Sequence, residues 1–242
     1  MKPEEFFAAL SEKGIDLNDT QKKQFETYFH ELVETNKVMN LTTITEKEQV
    51  YLKHFYDSLI LDFFDGALIT DNISICDVGS GAGFPSIPLK IVNPNLKVTI
   101  IDSLNKRINF LSGLVKKLGL DDVNLVHGRA EELGQNKQYR EQFDLVTARA
   151  VASMTVLTEL CLPFVKKGGQ FIAMKAEKAD DELDAATYAI TLLGGKVEKQ
   201  DSFELPNDAG LRNLIFVSKT KETPNKYPRK PGTPSRKPLV KK

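Results

Sequence analysis

The chain has 242 residues, 41% hydrophobic and 27% charged, which suits one globular domain with an extension. Its apolar runs are short and broken by charge, and its acid-bearing first residues lack a long apolar stretch, so neither a membrane span nor a secretory leader is expected. The 33 basic and 33 acidic residues cancel only on average: residues 219–242 hold nine Lys or Arg and one acid, about +8, which leaves about −8 on the rest. A basic tail on an acidic body suits a polyanionic partner, and it equally suits a merely solvated terminus.

In chain order, residues 1–70 read as a helical extension. Phe6, Phe7 and Leu10 share one side of a short amphipathic segment between Pro3 and Gly14. Asn18-Asp19-Thr20 can cap a long helix that carries Phe25, Phe29, Leu32 and Val33 at helical spacing. Asn40-Leu41-Thr42-Thr43 breaks it. Thr45-Glu46-Lys47-Glu48 reads as a capping box for the next helix, with Val50, Tyr51, His54, Leu59 and Phe63.

From residue 71 to 219 short β-rich runs alternate with helices. Strands are expected over residues 73–78, 98–102, 123–127, 143–148, 170–175, 197–204 and 213–219. Helices are expected over 84–92, 104–118, near Glu131, over 154–162 and over 180–193. A turn is expected at Lys167-Gly168-Gly169. This alternation predicts a doubly wound, mostly parallel seven-stranded α/β sheet with an antiparallel ending. Residues 220–242 are rich in Pro, Lys and Arg and poor in apolar side chains, the composition of an extended or disordered tail. The two cysteines, Cys76 and Cys161, form no C-x-x-C pair; no disulfide framework or metal site is expected, and a reducing cytoplasm is the natural setting.

The strongest motif is Asp77-Val78-Gly79-Ser80-Gly81-Ala82-Gly83-Phe84-Pro85, a glycine turn that closes the first strand and opens a helix. Glycines allow unusual backbone angles and close approach of a ligand, and a helix N-terminus offers unpaired N–H groups. Asp102 ends the second strand, where a carboxylate holds ribose hydroxyls; it also stands where it can cap the following helix. The third strand ends in His127-Gly128-Arg129-Ala130-Glu131-Glu132, a turn placed to clamp a base. In order, these features describe a nucleoside site across adjacent strand ends. A dinucleotide fingerprint is disfavoured because Phe84 stands where its last glycine belongs, and there is no GKS or GKT phosphate loop.

The strand–helix alternation with its antiparallel ending resembles the fold of the class I adenosylmethionine-dependent methyltransferases. More narrowly, the chain resembles the bacterial 16S ribosomal RNA (guanine-N7)-methyltransferase G family, also called glucose-inhibited division protein B. The likeness runs nearly full length through Asn40-Leu41-Thr42, Lys53-His54-Phe55-Tyr56-Asp57-Ser58, the glycine turn, Gly128–Glu132, Asp144–Ala150 and Thr223–Pro234. It implies S-adenosyl-L-methionine as methyl donor, with cofactor contacts at Gly79, Phe84, Ala130, Glu131 and Arg149 and with Asp102 near the ribose. Arg149 can meet the methionine carboxylate or an RNA phosphate. The implied reaction transfers methyl to guanine N7 of 16S ribosomal RNA, as free RNA or in the small ribosomal subunit, by a monomeric cytoplasmic enzyme. That nitrogen has no proton to lose, so no catalytic base is assigned. A methyltransferase acting on a small molecule or a protein is the alternative. Lys53, His54, Asn40 and Thr42 are expected beside the substrate, and Lys226, Arg229, Lys230, Arg236 and Lys237 are candidates for phosphate contacts.

Overall fold

The computed structural model describes residues 1–64, 72–176 and 179–241. The expected boundary at residues 70 and 71 lies outside them. Two helices open the chain, α1 (Pro3–Ser11) and α2 (Asp19–Met39). Asn18 caps α2 reciprocally: its side chain accepts from Gln21 N, and Gln21 Oε1 accepts from Asn18 N, both at 2.9 Å. Asn40 ends α2 in the left-handed region at φ 50°.

The next helix is capped one residue later than expected. The Glu46 carboxylate, not Thr45, accepts from Gln49 N at the start of α3 (Lys47–Val50). A long acidic side chain reaches this donor as well as a hydroxyl does. The chain then widens into a π-helical turn, Tyr51–Tyr56, and resumes as α4 (Asp57–Phe64). Such widened turns often mark functional sites, and this one carries Lys53 and His54.

Phe6, Phe25, Tyr28, Tyr51 and Phe55 interlock, with Phe6–Phe25 and Tyr28–Phe55 centroids both 5.1 Å apart. Aromatic pairs at this range add about 0.5–1.5 kcal/mol beyond area burial. The cluster is continuous with Ile75, Ile87, Ile100 and Leu111, so the helical extension shares one core with the sheet.

The sheet has seven strands in the order β3-β2-β1-β4-β5-β7-β6. They are β1 (Ser74–Val78), β2 (Lys97–Asp102), β3 (Val123–His127), β4 (Phe143–Arg149), β5 (Val165–Lys175), β6 (Gly195–Glu204) and β7 (Leu211–Lys219). β1 to β5 pair in parallel; β7 is antiparallel to both β5 and β6. The expected turn at Lys167-Gly168-Gly169 lies inside β5. There the register jumps from Phe143↔Val165 to Leu145↔Gln170, a bulge that Gly168 makes possible at φ +84°.

The helix α5 (Ser86–Val92) begins two residues after Phe84, which belongs to the glycine turn. It is followed by α6 (Asn105–Leu118), α7 (Ala130–Leu133), α8 (Met154–Cys161), α9 (Ala179–Leu192) and α10 (Thr233–Arg236). α5 and α6 pack with the N-terminal helices, while α8 and α9 pack with Val146, Phe171 and Val217 in a second core. The chain winds outward from β1 to β3 and returns to β4, so the order reverses between β1 and β4. In open α/β sheets ligands bind at the strand C-terminal ends beside such a reversal.

The tail is extended, as its composition predicts, but it is docked along the body as far as Leu239. Lys219 Nζ, wholly buried, donates to Leu162 O, Val165 O and Thr223 Oγ1 and pairs with Glu141. The Arg140 guanidinium donates to Thr223 O at 2.6 Å and Tyr227 O at 2.7 Å. Arg229 forks onto the buried carboxylate of Glu159 at 2.6–3.2 Å. These tail carbonyls satisfy body cations, a role that hydrophobic content does not report. No described helix is long and apolar enough to cross a membrane.

Candidate active site

The glycine turn lies at the C-terminal end of β1, held by Gly79 N donating to Ile101 O at 2.7 Å. Gly79 has φ +76°, and a Cβ there would come within 2.8 Å of Val151 Cγ2. Gly83 has φ +104°, and its missing side chain leaves room for the Tyr28 hydroxyl. That hydroxyl donates to Ala82 O at 2.6 Å, which ties α2 to the turn.

Asp102 lies where the sequence predicts, but its carboxylate already has partners. Oδ1 accepts from Leu104 N at 2.9 Å; Oδ2 accepts from Gly81 N at 3.2 Å and from Arg107 at 3.3 Å. The carboxylate therefore closes an Asx turn just before α6, whose N-cap is Leu104, and clamps the glycine turn to β2. Asp77 is wholly buried; its Oδ2 accepts from Ser86 N at 3.2 Å, while Oδ1 has no partner among the described residues. Burial raises its carboxyl to a pKa of about 7 against the opposing pull of Ser86 and Arg149. Ser80 Oγ is likewise buried without a partner among the described residues. Buried polar atoms without partners are uncommon in folded proteins and mark places where a ligand completes the hydrogen bonding. The turn thus fits a ligand carrying an amine and hydroxyls.

Ala130 and Glu131 open α7 after β3, as expected. Glu131 Oε1 accepts from the tail at Gly232 N, 2.8 Å away. Phe84 is buried between two rings: Tyr28 stacks at 5.3 Å and His54 at 4.6 Å. The phenyl group wedges the glycine turn against the helical extension. His54 Nε2 meets Thr42 Oγ1 at 2.8 Å, and that oxygen also accepts from Ile44 N. The direction of the Thr42–His54 hydrogen bond follows the imidazole tautomer. Burial and the nearby Arg149 depress the imidazole to a pKa of about 3, so it is neutral at physiological pH.

Arg149, at the end of β4, crosses over the Phe84 ring at 5.1 Å and pairs with Asp57 at 3.0 Å. It lines a cleft of about 700 Å³ with Lys53, His54, Asp57, Lys175 and Arg212. Gly79, Phe84, Asp102, Ala130 and Glu131 do not line that cleft. The structure thus gathers Gly79 and Asp102 at the switch point, and Arg149 lies between the Phe84 ring of that turn and the cleft. Asp57 and Arg212 went unassigned in the sequence. They are 155 positions apart and meet at 2.9 Å, which no local spacing reports. Among the described residues, no group of three or more His, Cys, Asp or Glu side chains is placed to hold a metal ion.

A family model described as rRNA small subunit methyltransferase G matches residues 21–211. The chain belongs to that family. A ribosomal RNA small subunit methyltransferase G from Lactobacillus acidophilus is 60% identical over 239 residues, covering 99% of this chain and all of the relative. The namesake from Staphylococcus epidermidis is 59% identical, covering 96% of this chain and 95% of its own. Among solved structures, a SAM-dependent methyltransferase from Methanosarcina mazei aligns with a TM-score of 0.52 at 14% identity, over 65% of this chain and 97% of that one. TrmN from Thermus thermophilus aligns with a TM-score of 0.50 at 14% identity, over 70% of this chain and 53% of that one. At such identities these two structures speak for the fold alone. Members of this family use S-adenosylmethionine to methylate 16S ribosomal RNA.

Proposed function

We infer that the chain transfers the methyl group of S-adenosylmethionine to N7 of one guanine in 16S ribosomal RNA, as a cytoplasmic monomer. The observation that carries the reading is the junction of the glycine turn and Asp102, with the unpartnered Asp77 Oδ1 and Ser80 Oγ beside it. The proposed cofactor contacts are Gly79, Phe84, Asp102, Ala130, Glu131 and Arg149. Asp77 Oδ1 suits the amine, Asp102 the ribose hydroxyls, and the Ala130-Glu131 turn the adenine. When bound, the cofactor supplies an electrophilic methyl group.

The residues themselves orient and exclude water. Guanine N7 carries a free lone pair and no proton, so catalysis needs alignment rather than a base; well-oriented reactants gain up to about 7–11 kcal/mol. His54 suits this division of labour: it is neutral, engaged with Thr42 and stacked on Phe84, so it serves as a wall. The guanine enters the cleft beside Arg149, between Lys53 and Arg212.

The test is incubation with methyl-labelled adenosylmethionine and undermodified small ribosomal subunits, followed by nucleoside mapping. Label at a single 7-methylguanosine is the expected result. Absence of transfer, with cofactor binding demonstrated, would redirect the reading to a small-molecule or protein substrate.

A further inference from the structure

We propose that the backbone N–H of Gly232 is a positioning group for the cofactor: it aims the Glu131 carboxylate at the adenine, so that the C-terminal tail completes the base subsite. This rests on the reading of the Ala130-Glu131 turn as the place of the adenine. Glu131 lies in the first turn of α7, a helix of four residues, and is half-buried. A glutamate side chain has three rotatable bonds, and a free one loses that freedom when a ligand binds. Here Oε1 accepts from Gly232 N at 2.8 Å. A neutral amide holds the carboxylate and keeps its charge, whereas an arginine would cancel it. Oε2 has no partner among the described residues and stays available to accept from the exocyclic amine of an adenine.

The sequence builds this donor into a turn. Thr233 N donates to Lys230 O at 3.0 Å, and Gly232 has φ 76° and ψ −9°. Those are the marks of a type II turn over Lys230-Pro231-Gly232-Thr233, with proline and glycine at the two positions that favour them. The N–H of the third residue takes no part in the turn's own hydrogen bond, so it is free to donate outward. The turn is held to the body from both ends. Upstream, Arg229 forks onto Glu159, a carboxylate 1% exposed. Downstream, α10 packs on α8 with Pro234 buried, and Leu239 packs on the second core.

Folding alone does not call for this contact. Arg229, Arg140 and Lys219 already dock the tail on the body. Glu131 is not buried, so water would satisfy its oxygens without Gly232. What the bond adds is direction, at the right place. Asp102 stands opposite His127 where β2 pairs with β3, and Glu131 follows His127 at the end of β3. The carboxylate therefore lies one strand beyond the proposed ribose position, on the side to which the base extends. The matched family model ends at residue 211, so the strap is an addition to the part of the chain that it describes.

The experiment measures by calorimetry the affinity for S-adenosylhomocysteine and for S-inosylhomocysteine, in which a carbonyl replaces the amine that donates to Glu131. The proteins are wild type, Glu131→Ala, a chain ending at Pro231, that truncation combined with Glu131→Ala, Gly232→Pro and Gly232→Ala. Ending the chain at Pro231 keeps the Arg229 fork and should weaken the adenosyl ligand about tenfold, the inosyl ligand by no more than about threefold. In the Glu131→Ala background the same truncation should change Kd by no more than about twofold, because the strap acts through that carboxylate. If the truncated chain fails to fold, Gly232→Pro tests the same bond at full length, since proline has no N–H. Gly232→Ala keeps the donor and should retain most of the preference for adenine. Equal weakening of both ligands on truncation, or the same loss with and without the Glu131 carboxylate, would make the strap structural and overturn the proposal. So would unchanged affinity in the truncated chain and in Gly232→Pro. A Glu131→Ala chain that binds like wild type would overturn the placing of adenine at Glu131, and the proposal with it. A wild type that binds neither ligand would instead overturn the functional reading itself.

Discussion

Gly232 donates its backbone N–H to Glu131 Oε1 at 2.8 Å, across 101 positions of sequence. The tail thereby reaches the turn after β3, where the base of the cofactor is proposed to sit. It is anchored just upstream by Arg229, forked onto Glu159, which is 1% exposed. Arg229 is thus committed to the fold, which leaves Lys226, Lys230, Arg236 and Lys237 as the proposed tail contacts to RNA phosphates.

From this follows the first prediction. Arg229→Met leaves Glu159 buried without its partner and should cost about 3–5 kcal/mol in urea unfolding. Deleting residues 229–242 should in addition weaken adenosylmethionine binding at least tenfold, because Glu131 loses the donor that orients it. A deletion that lowers stability and leaves cofactor Kd unchanged would show the strap to be purely structural.

Gly79→Ala should weaken cofactor binding more than it destabilises the fold. Alanine at φ +76° costs about 1–2 kcal/mol, and its Cβ meets Val151 Cγ2 at 2.8 Å. Adding Val151→Ala removes the clash but not the backbone strain. The double variant should recover part, not all, of the lost affinity; simple additivity in calorimetry would contradict the contact.

Asp77 predicts a pH signature. Its folded pKa is raised from 3.8 to about 7 by burial. Between these values the folded state binds a proton that the unfolded state has released. Its contribution is therefore intact below about pH 4 and is lost as pH rises through about 7, by up to about 4 kcal/mol. Asp77→Asn has no such proton to release. Stability of the cofactor-free variant relative to wild type should rise between pH 4 and 7 in denaturant titrations, and parallel profiles would refute the assignment.

Phe84→Ala opens a hole between Tyr28 and His54 and should cost about 3–5 kcal/mol. It also frees His54 from its wall. The imidazole pKa, near 3 in the wild type, should move toward 6.5 on an NMR titration as water gains access. An unmoved titration would mean that Phe84 is not what keeps it dry.

The division between sequence and structure follows from the range of the interactions. The sheet was legible because strands and helices alternate with clear periods, and the observed strands match the expected positions within a few residues. The glycine turn and Asp102 were legible because each sits at a strand end, and strand ends of a parallel sheet come together at one edge. Local competition moved details: Glu46 took the cap from Thr45, and the glycine pair at 168 and 169 became a bulge within β5.

By itself, then, the sequence determined the winding of the sheet and the family, both of which rest on short-range patterns and contiguous motifs. Only the tertiary structure decided that Asp57 would bridge Arg149 and Arg212, that Phe84 would be a wedge between rings, and that the basic tail would be bound down. Those outcomes depend on buried charges finding partners 70 to 155 positions away. A buried charge must be paired, but the requirement does not say with which residue; the fold chooses the partner by bringing it within reach.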